Sequence, residues 1–167
     1  AGAGKCSRGR RKMIFIGILV LVVAAEWKIK NRMERSMKEG VVREVAGDRI
    51  LLCKCHNKGI AGGIGAEKPE AVKWGTGGLL ICFMMDFFHL LKEKGRTAEK
   101  TGYALALGGG LSNWLDRVRQ GFVTDYFRFN VKWKALRRLV FNLADMCVFL
   151  GGILILAGQI FGKREEK

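Results

Sequence analysis

The chain has 167 residues and a net charge of +15, from 30 Lys and Arg against 15 Asp and Glu, and 49% of it is apolar. So basic a chain invites a nucleic-acid reading, but no zinc-finger, RNA-recognition or helix-turn-helix pattern accompanies the charge, which excludes nucleic acid as a partner. The apolar residues are bunched into four blocks, which points to a membrane α-helical protein rather than one soluble domain.

The first block, residues 13–25, follows the basic stretch 8–12. This pattern fits a cleaved signal peptide, with Val23-Ala24-Ala25 at the cut, or an anchor helix behind a cytoplasmic tail. Three further blocks favour the anchor. Crossing about 30 Å of hydrocarbon at about 1.5 Å per residue takes roughly 20 residues, so this helix extends through Glu26-Trp27. Residues 28–73 are polar, with β-like character at 41–43 and 49–54. Residues 61–66 read as a flexible turn, because Gly62-Gly63-Ile64-Gly65 lacks the Gly-Lys-Ser/Thr ending of a phosphate loop. A small extracytoplasmic β-element is therefore expected between helices 1 and 2.

The second block, 74–91, reaches spanning length from Val72 with Lys73 snorkelling. Asp86 and His89 near its end are expected to reach the cytoplasmic surface. The third, 101–115, is short for full lipid burial, so its polar end (Ser112, Asn113, Asp116) is expected to line a protein or water cavity. The fourth, 140–162, is long enough unaided.

The expected organisation is a basic cytoplasmic tail (1–12), a single domain of four transmembrane helices (13–162) and a short cytoplasmic tail (163–167). Total Lys and Arg count opposes an inside location of both termini. The acid-free tail before the first helix supports it and decides the orientation. Basic flanks also suit anionic headgroups, making membrane lipid a partner.

The five cysteines form no site. Cys53-Lys54-Cys55 with His56 lacks the second pair that would complete a zinc cage, so neither metal nor cofactor is expected. Cys82 and Cys147 are expected to pack as small apolar groups. Cys6 lacks the small-apolar context of a lipid-modified cysteine.

Asp145 is the only charge in the fourth block. An ionised carboxylate in hydrocarbon is costly, so an intramembrane acid is by default a functional candidate. Asp125, in Gly121-Phe122-Val123-Thr124-Asp125-Tyr126, stands close by in sequence. Two unit charges about 4 Å apart repel by roughly 4 kcal/mol at an effective dielectric near 20, enough to keep one proton on the pair near neutral pH. Such a dyad activates water for peptide hydrolysis. The bland alternative is that Asp145 caps a helix or pairs with Arg117 while Asp125 is an ordinary loop acid.

Gly108-Gly109-Gly110-Leu111-Ser112-Asn113-Trp114-Leu115-Asp116-Arg117 resembles the Gly-Gly-Ala-Leu-Gly-Asn-x-x-Asp-Arg element of lipoprotein signal peptidases (signal peptidase II). Residues 121–126 resemble that family's Gly-x-Val-x-Asp-Phe, and Phe141-Asn142-Leu143-Ala144-Asp145 its Phe-Asn-x-Ala-Asp. Asn57-Lys58-Gly59-Ile60-Ala61-Gly62-Gly63 is similar to Asn-x-Gly-x-Ala-Phe-Gly, with Gly62 in place of Phe. Glu26-Trp27-Lys28-Ile29-Lys30 looks like a variant of Asp-x-x-x-Lys. Ser112 replaces a glycine, and Leu139-Val140 stands where a proline is common.

The resemblance implies a monomeric aspartic peptidase of the bacterial cytoplasmic membrane, with its site on the extracytoplasmic side. Its substrates would be prolipoproteins carrying diacylglyceryl-cysteine, cut before that cysteine. Asp125 and Asp145 are the candidate catalytic residues, and Asn57, Asn113, Arg117 and Asn142 the candidate substrate-binding ones. Asn142 and Asp145 stand three apart, as do Asn113 and Asp116, a spacing that shares a helix face. These asparagines orient the dyad and hold substrate backbone, or else bond helix to helix. For Arg117 a structural ion pair with Asp116 is favoured over a lipid headgroup. Gly108, Gly109 and Gly110 are expected to permit close helix packing. Competing readings are an inactive lipopeptide-binding relative and a small transporter or proton-relay subunit using Asp86 and Asp145. The missing inverted repeat weakens the transporter reading.

Overall fold

The computed structural model describes the backbone of residues 2–162 and the side chains of residues 9–162; the side chain of Cys6 and the tail at 163–167 lie outside the described residues. Four long helices carry the fold: α1 (Gly2–Ser36), α2 (Pro69–Leu90), α3 (Thr97–Gln120) and α5 (Leu143–Phe161). A short helix, α4 (Lys134–Arg138), precedes α5. Of the long helices, α2 and α5 are each long and apolar enough to cross a membrane.

Local signals explain where the helices begin and end. Pro69 opens α2, where its missing N–H leaves no intrahelical bond unmade. Gly121 closes α3 in the left-handed region (φ +80°), its N–H donating to the Arg117 carbonyl. The third apolar block is therefore the middle of a 24-residue helix, longer than the block itself. The fourth block starts its helix at Leu143 rather than Val140, because Asn142 is the N-cap.

The glycine run on α3 makes it the central helix. A Cβ on Gly108 would lie 2.9 Å from Val22 of α1, and one on Gly110 2.7 Å from a Leu80 methyl of α2. One on Gly109 would collide with the Ala144 carbonyl of α5. Three consecutive residues thus admit three different neighbours at close range. Gly102 and Gly151 repeat the device lower down between α3 and α5, the most extensive helix pair. Phe87, Leu91, Ala104 and Leu107 form the apolar core, with Phe15, Leu19 and Phe83 packed on it. By contrast α2 leans on α3 and has no substantial interface with α5 among the described residues.

Much of the outer helix surface is apolar. Leu21 on α1, Ile81 and Met85 on α2, and Phe149 and Ile160 on α5 are all more than half exposed. Patches of that extent on several helices mark an interaction surface for lipid or for another apolar partner. Cys147 is buried as expected, whereas Cys82 lies on the outward face of α2. Asp86 and His89 are likewise exposed on α2.

A three-stranded antiparallel sheet sits at one end of the helices in the order β1 (Val42–Val45), β2 (Ile50–Asn57), β3 (Val123–Phe129). The first two strands are the ones the sequence predicts. The third widens an element expected only between helices 1 and 2: it returns after α3 and completes the sheet by pairing with β2, Cys55 opposite Asp125 and Asn57 opposite Val123. A further bridge joins Phe127 to Phe141, and the rings of Phe127, Phe129 and Phe141 cluster with centroids 5.5–6.2 Å apart. That bridge lays the chain before α5 alongside β3. It brings Asn142 next to Asp125.

Candidate active site

Asp125 comes from β3 and Asp145 from the first turn of α5, and both line one cavity of about 510 Å3. The rest of the wall is chiefly apolar, with Leu79, Leu80 and Phe83 from α2 and Val148 and Phe149 from α5. Every carboxylate oxygen of the pair accepts one hydrogen bond. The Asn142 Nδ2 donates to Asp125 Oδ1 at 2.7 Å, and the Asn57 Nδ2 to Asp125 Oδ2 at 3.1 Å. The Asn113 Nδ2 donates to Asp145 Oδ1 at 2.8 Å, and the Asn142 backbone N–H to Asp145 Oδ2 at 3.0 Å.

Asn142 does more than share a helix face with Asp145. It caps the helix, its Oδ1 accepting from the Asp145 N–H at 2.9 Å, so the two residues form a reciprocal capping box. The same asparagine reaches Asp125 and, at 3.2 Å, Asn113 Oδ1. It is fully buried and joins both acids into one rigid unit.

Behind the acids lies a network that the sequence reading underrated. Lys30 Nζ is 2.7 Å from Asn113 Oδ1, 2.8 Å from Asp116 Oδ2 and 3.3 Å from Glu26 Oε2. The expected Asp116–Arg117 ion pair is thus replaced by Lys30–Asp116. Adjacent residues on a helix point about 100° apart, so Asp116 turns to α1 while Arg117 turns elsewhere. Arg117 Nη1 donates to the Asn113 carbonyl at 3.1 Å and Nη2 to the Gly59 carbonyl at 2.6 Å. It anchors the loop whose Asn57 holds Asp125, and it also lines the cavity. Tyr126 completes the frame, its hydroxyl donating to Glu26 Oε1 at 2.7 Å and accepting from the Leu143 N–H of α5 at 2.9 Å. Glu26 and Lys30 carried a signal in their four-residue spacing; Tyr126 carried none beyond adjacency to Asp125. Asp86 is not among the residues that line the cavity.

Burial first, and then the Asp145 carboxylate, push the Asp125 acid up to about 7, against the pull of the Asn57 and Asn142 amides. Near neutral pH this carboxyl is therefore poised between its two forms. The raised value means that neutral Asp125 stabilises the fold fully below its ordinary 3.8, and that this contribution fades as pH rises towards 7. A shift of this size is worth on the order of 4 kcal/mol, less about 1 kcal/mol because an asparagine would set its amide against one of two donors. Asp125→Asn is accordingly expected to raise thermal stability in detergent by about 2–3 kcal/mol at pH 8 and by little at pH 4. A pH-independent difference between the two proteins would contradict the protonation assigned here.

Fold and site together define a class: a helical membrane protein with one buried and one half-buried carboxylate, Asp125 and Asp145, held where a small sheet meets the helices. Within that class the chain belongs to the signal peptidase (SPase) II family, whose model matches residues 16–161. A lipoprotein signal peptidase of Histophilus somni (strain 129Pt) is 38% identical over 89 residues, covering 53% of this chain and 52% of that protein. Over that match the chain spans about half the length of its relative. A lipoprotein signal peptidase of Brucella ovis is 29% identical over 150 residues, covering 90% of this chain and 91% of that protein. Among solved structures, a bacterial membrane enzyme determined in meso at 2.3 Å matches with a TM-score of 0.75 at 25% identity, over 92% of this chain and 93% of that one. A second, at 1.9 Å, matches in fold with a TM-score of 0.73 at 22% identity, over 90% and 94% of the two chains.

Proposed function

We propose that this chain is a membrane aspartic endopeptidase that removes signal peptides from diacylglyceryl-modified prolipoproteins, cutting just before the lipid-bearing cysteine. The observation that carries the reading is the arrangement of Asp125 and Asp145, each oxygen oriented by a donor, in the wall of a chiefly apolar cavity. Family membership supports the substrate class.

Asp145 sits at the N-terminus of α5, where the helix dipole favours negative charge, and acts as the ionised partner. Asp125 carries the shared proton. Asp145 takes a proton from a water held between the two acids, and the resulting hydroxide attacks the scissile carbonyl carbon while Asp125 donates to the carbonyl oxygen. As the C–N bond breaks, the proton on Asp145 passes to the leaving amine. The hydroxyl on the tetrahedral carbon returns its proton to Asp125 as the new carboxyl group forms. Asn57, Asn113 and Asn142 orient the dyad; Asn57 and Asn113 also line the cavity, where substrate backbone passes, while the buried Asn142 acts only through the two acids. Arg117 holds the loop over it.

In this reading α1, α2, α3 and α5 span the bilayer with their apolar faces in lipid, and residues 13–162 form one unit between cytoplasmic tails at 1–12 and 163–167. The sheet and the dyad lie on the extracytoplasmic side of a bacterial cytoplasmic membrane. The site is complete within one chain, in keeping with a monomer. The unclosed gap between α2 and α5 offers a lateral entry from the bilayer, and the leucines and phenylalanines beside it match acyl chains and a signal-peptide helix.

Lipid on the substrate is expected to be essential. Asp145 lies in the first turn of its apolar helix, so a peptide bond reaches it only if the chain is anchored there. Each buried methylene contributes about 0.8 kcal/mol, so two acyl chains raise the local concentration of the scissile bond by many orders. The same precursor with and without diacylglycerol, assayed in detergent, tests this. Equal cleavage rates would replace a lipoprotein peptidase by a general intramembrane protease, and no cleavage of either would leave a lipopeptide-binding relative.

A further inference from the structure

A second cleft of about 430 Å3 opens beside the dyad, between the 57–66 loop and the end of α4. Asn57, Gly62, Asp125 and Val140 line both this cleft and the apolar cavity, so the two meet at the Asp125 carboxyl. Gly62 sets the junction. Its φ is +66°, and a Cβ there would come within 3.1 Å of a Leu139 methyl. At the place where the family pattern carries phenylalanine, this chain has no side chain, and the Leu139 methyl packs close against the backbone instead.

The cleft differs from the cavity in its charge. Lys58 and Arg138 stand on its rim, both exposed, and among the described residues neither has a carboxylate within ion-pair distance. The other basic groups of β2 are matched: Lys54 pairs with Glu34 at 3.2 Å, and His56 lies between Glu34 and Glu39 at 2.8 and 2.7 Å. Asp125 is the one carboxylate in the lining, and it lies at the inner end.

We propose that this cleft receives the polar chain on the mature side of the cleavage point and prefers it acidic, Lys58 and Arg138 facing carboxylates just after the lipid-bearing cysteine. The inference rests on the peptidase reading above. Acyl chains and the apolar signal segment fill the cavity, so the polar remainder of the substrate leaves the dyad by the other opening. An extended chain advances about 3.3 Å per residue, which puts the second and third residues past the bond about 7–10 Å from the dyad, at the scale of the rim. Charge pairs in so open a cleft are individually weak and screened by salt. Two cations together give a preference of about fivefold to thirtyfold.

The test uses two short lipopeptides, each a diacylglyceryl-cysteine followed directly by two Asp or two Lys and then by Ser. Binding to the full chain is measured in neutral detergent, with and without added phosphatidylglycerol. The Asp peptide is expected to bind at least fivefold tighter. The preference should shrink in high salt, vanish in Lys58→Ala/Arg138→Ala, and reverse in Lys58→Glu/Arg138→Glu. Equal binding of both peptides to the unmodified protein overturns the proposal. So does a loss on substitution that strikes both peptides alike and only with phosphatidylglycerol present, which would make the cleft a headgroup site. Cleavage of a full lipidated precursor is read separately. Cleavage with no charge preference in binding removes the specificity and leaves the peptidase, whereas preference without cleavage removes the peptidase and leaves the cleft.

Discussion

Asp125→Asn and Asp145→Asn are each expected to lower turnover of a lipidated precursor by on the order of 10^4-fold while the protein still inserts and binds product lipopeptide. Each substitution removes one half of a proton-sharing pair, and the remaining carboxyl cannot both take a proton from water and give one to the carbonyl. The double variant should be no worse than either single one, because two groups acting as a unit are lost together. Stability separates the two positions. Asp125→Asn relieves a buried acid and gains stability at neutral pH, whereas Asp145→Asn weakens the capping box, with only one amide oxygen for the Asn113 amide and the Asn142 N–H. The wild-type rate should fall on the alkaline side with a midpoint near the Asp125 value of about 7, where the shared proton is lost. Near-wild-type turnover in either single variant would end the dyad assignment.

The largest effect on folding is expected at Lys30, which is 4% exposed and serves Glu26, Asp116 and Asn113 at once. Lys30→Met leaves two carboxylates facing each other without a cation. Breaking a buried pair in this way costs about 3–5 kcal/mol, enough to lower the melting temperature by roughly 10 °C in a chain of this size. Activity should fall with it, since Asn113 loses the closer of the two donors on its Oδ1, Lys30 at 2.7 Å against Asn142 at 3.2 Å, that fix which way its amide faces Asp145. Adding Glu26→Gln and Asp116→Asn removes the stranded charges and should recover most of the stability. Thermal unfolding of the three-site variant against Lys30→Met reads this directly, and a Lys30→Met protein as stable as wild type would show that the network carries no weight.

Much of the candidate site is legible in the sequence. Asp145 stood out because a lone charge in a long apolar run is costly in hydrocarbon and so a functional candidate by default, and the capping box shows that it also serves the bland role of capping its helix. Asp125, Asn57, Asn113 and Asn142 were reached through local motifs, and the fold places all four around the two carboxyls. Some expectations failed where local spacing was asked to settle long-range geometry. The spacing of Asn142 and Asp145 suggested a common helix face; it belongs instead to a capping box, because the helix starts one residue later than the polar group. The neighbouring charges Asp116 and Arg117 suggested a pair, but a helix points them in different directions.

What the chain alone determined was therefore whatever depends on local pattern: apolar blocks long enough for helices, the first two strands, glycines for close packing and the two acids that the fold brings into one cavity. Tertiary structure decided the rest. Asp116 met Lys30 across 86 positions, and Tyr126 met Glu26 across 100. β3 had no alternation strong enough to declare itself, and it became a strand because β2 offered an edge and Phe141 a bridge. Partners so far apart leave no periodic trace, since the hydrogen bonds and ion pairs that select them exist only once the helices have packed.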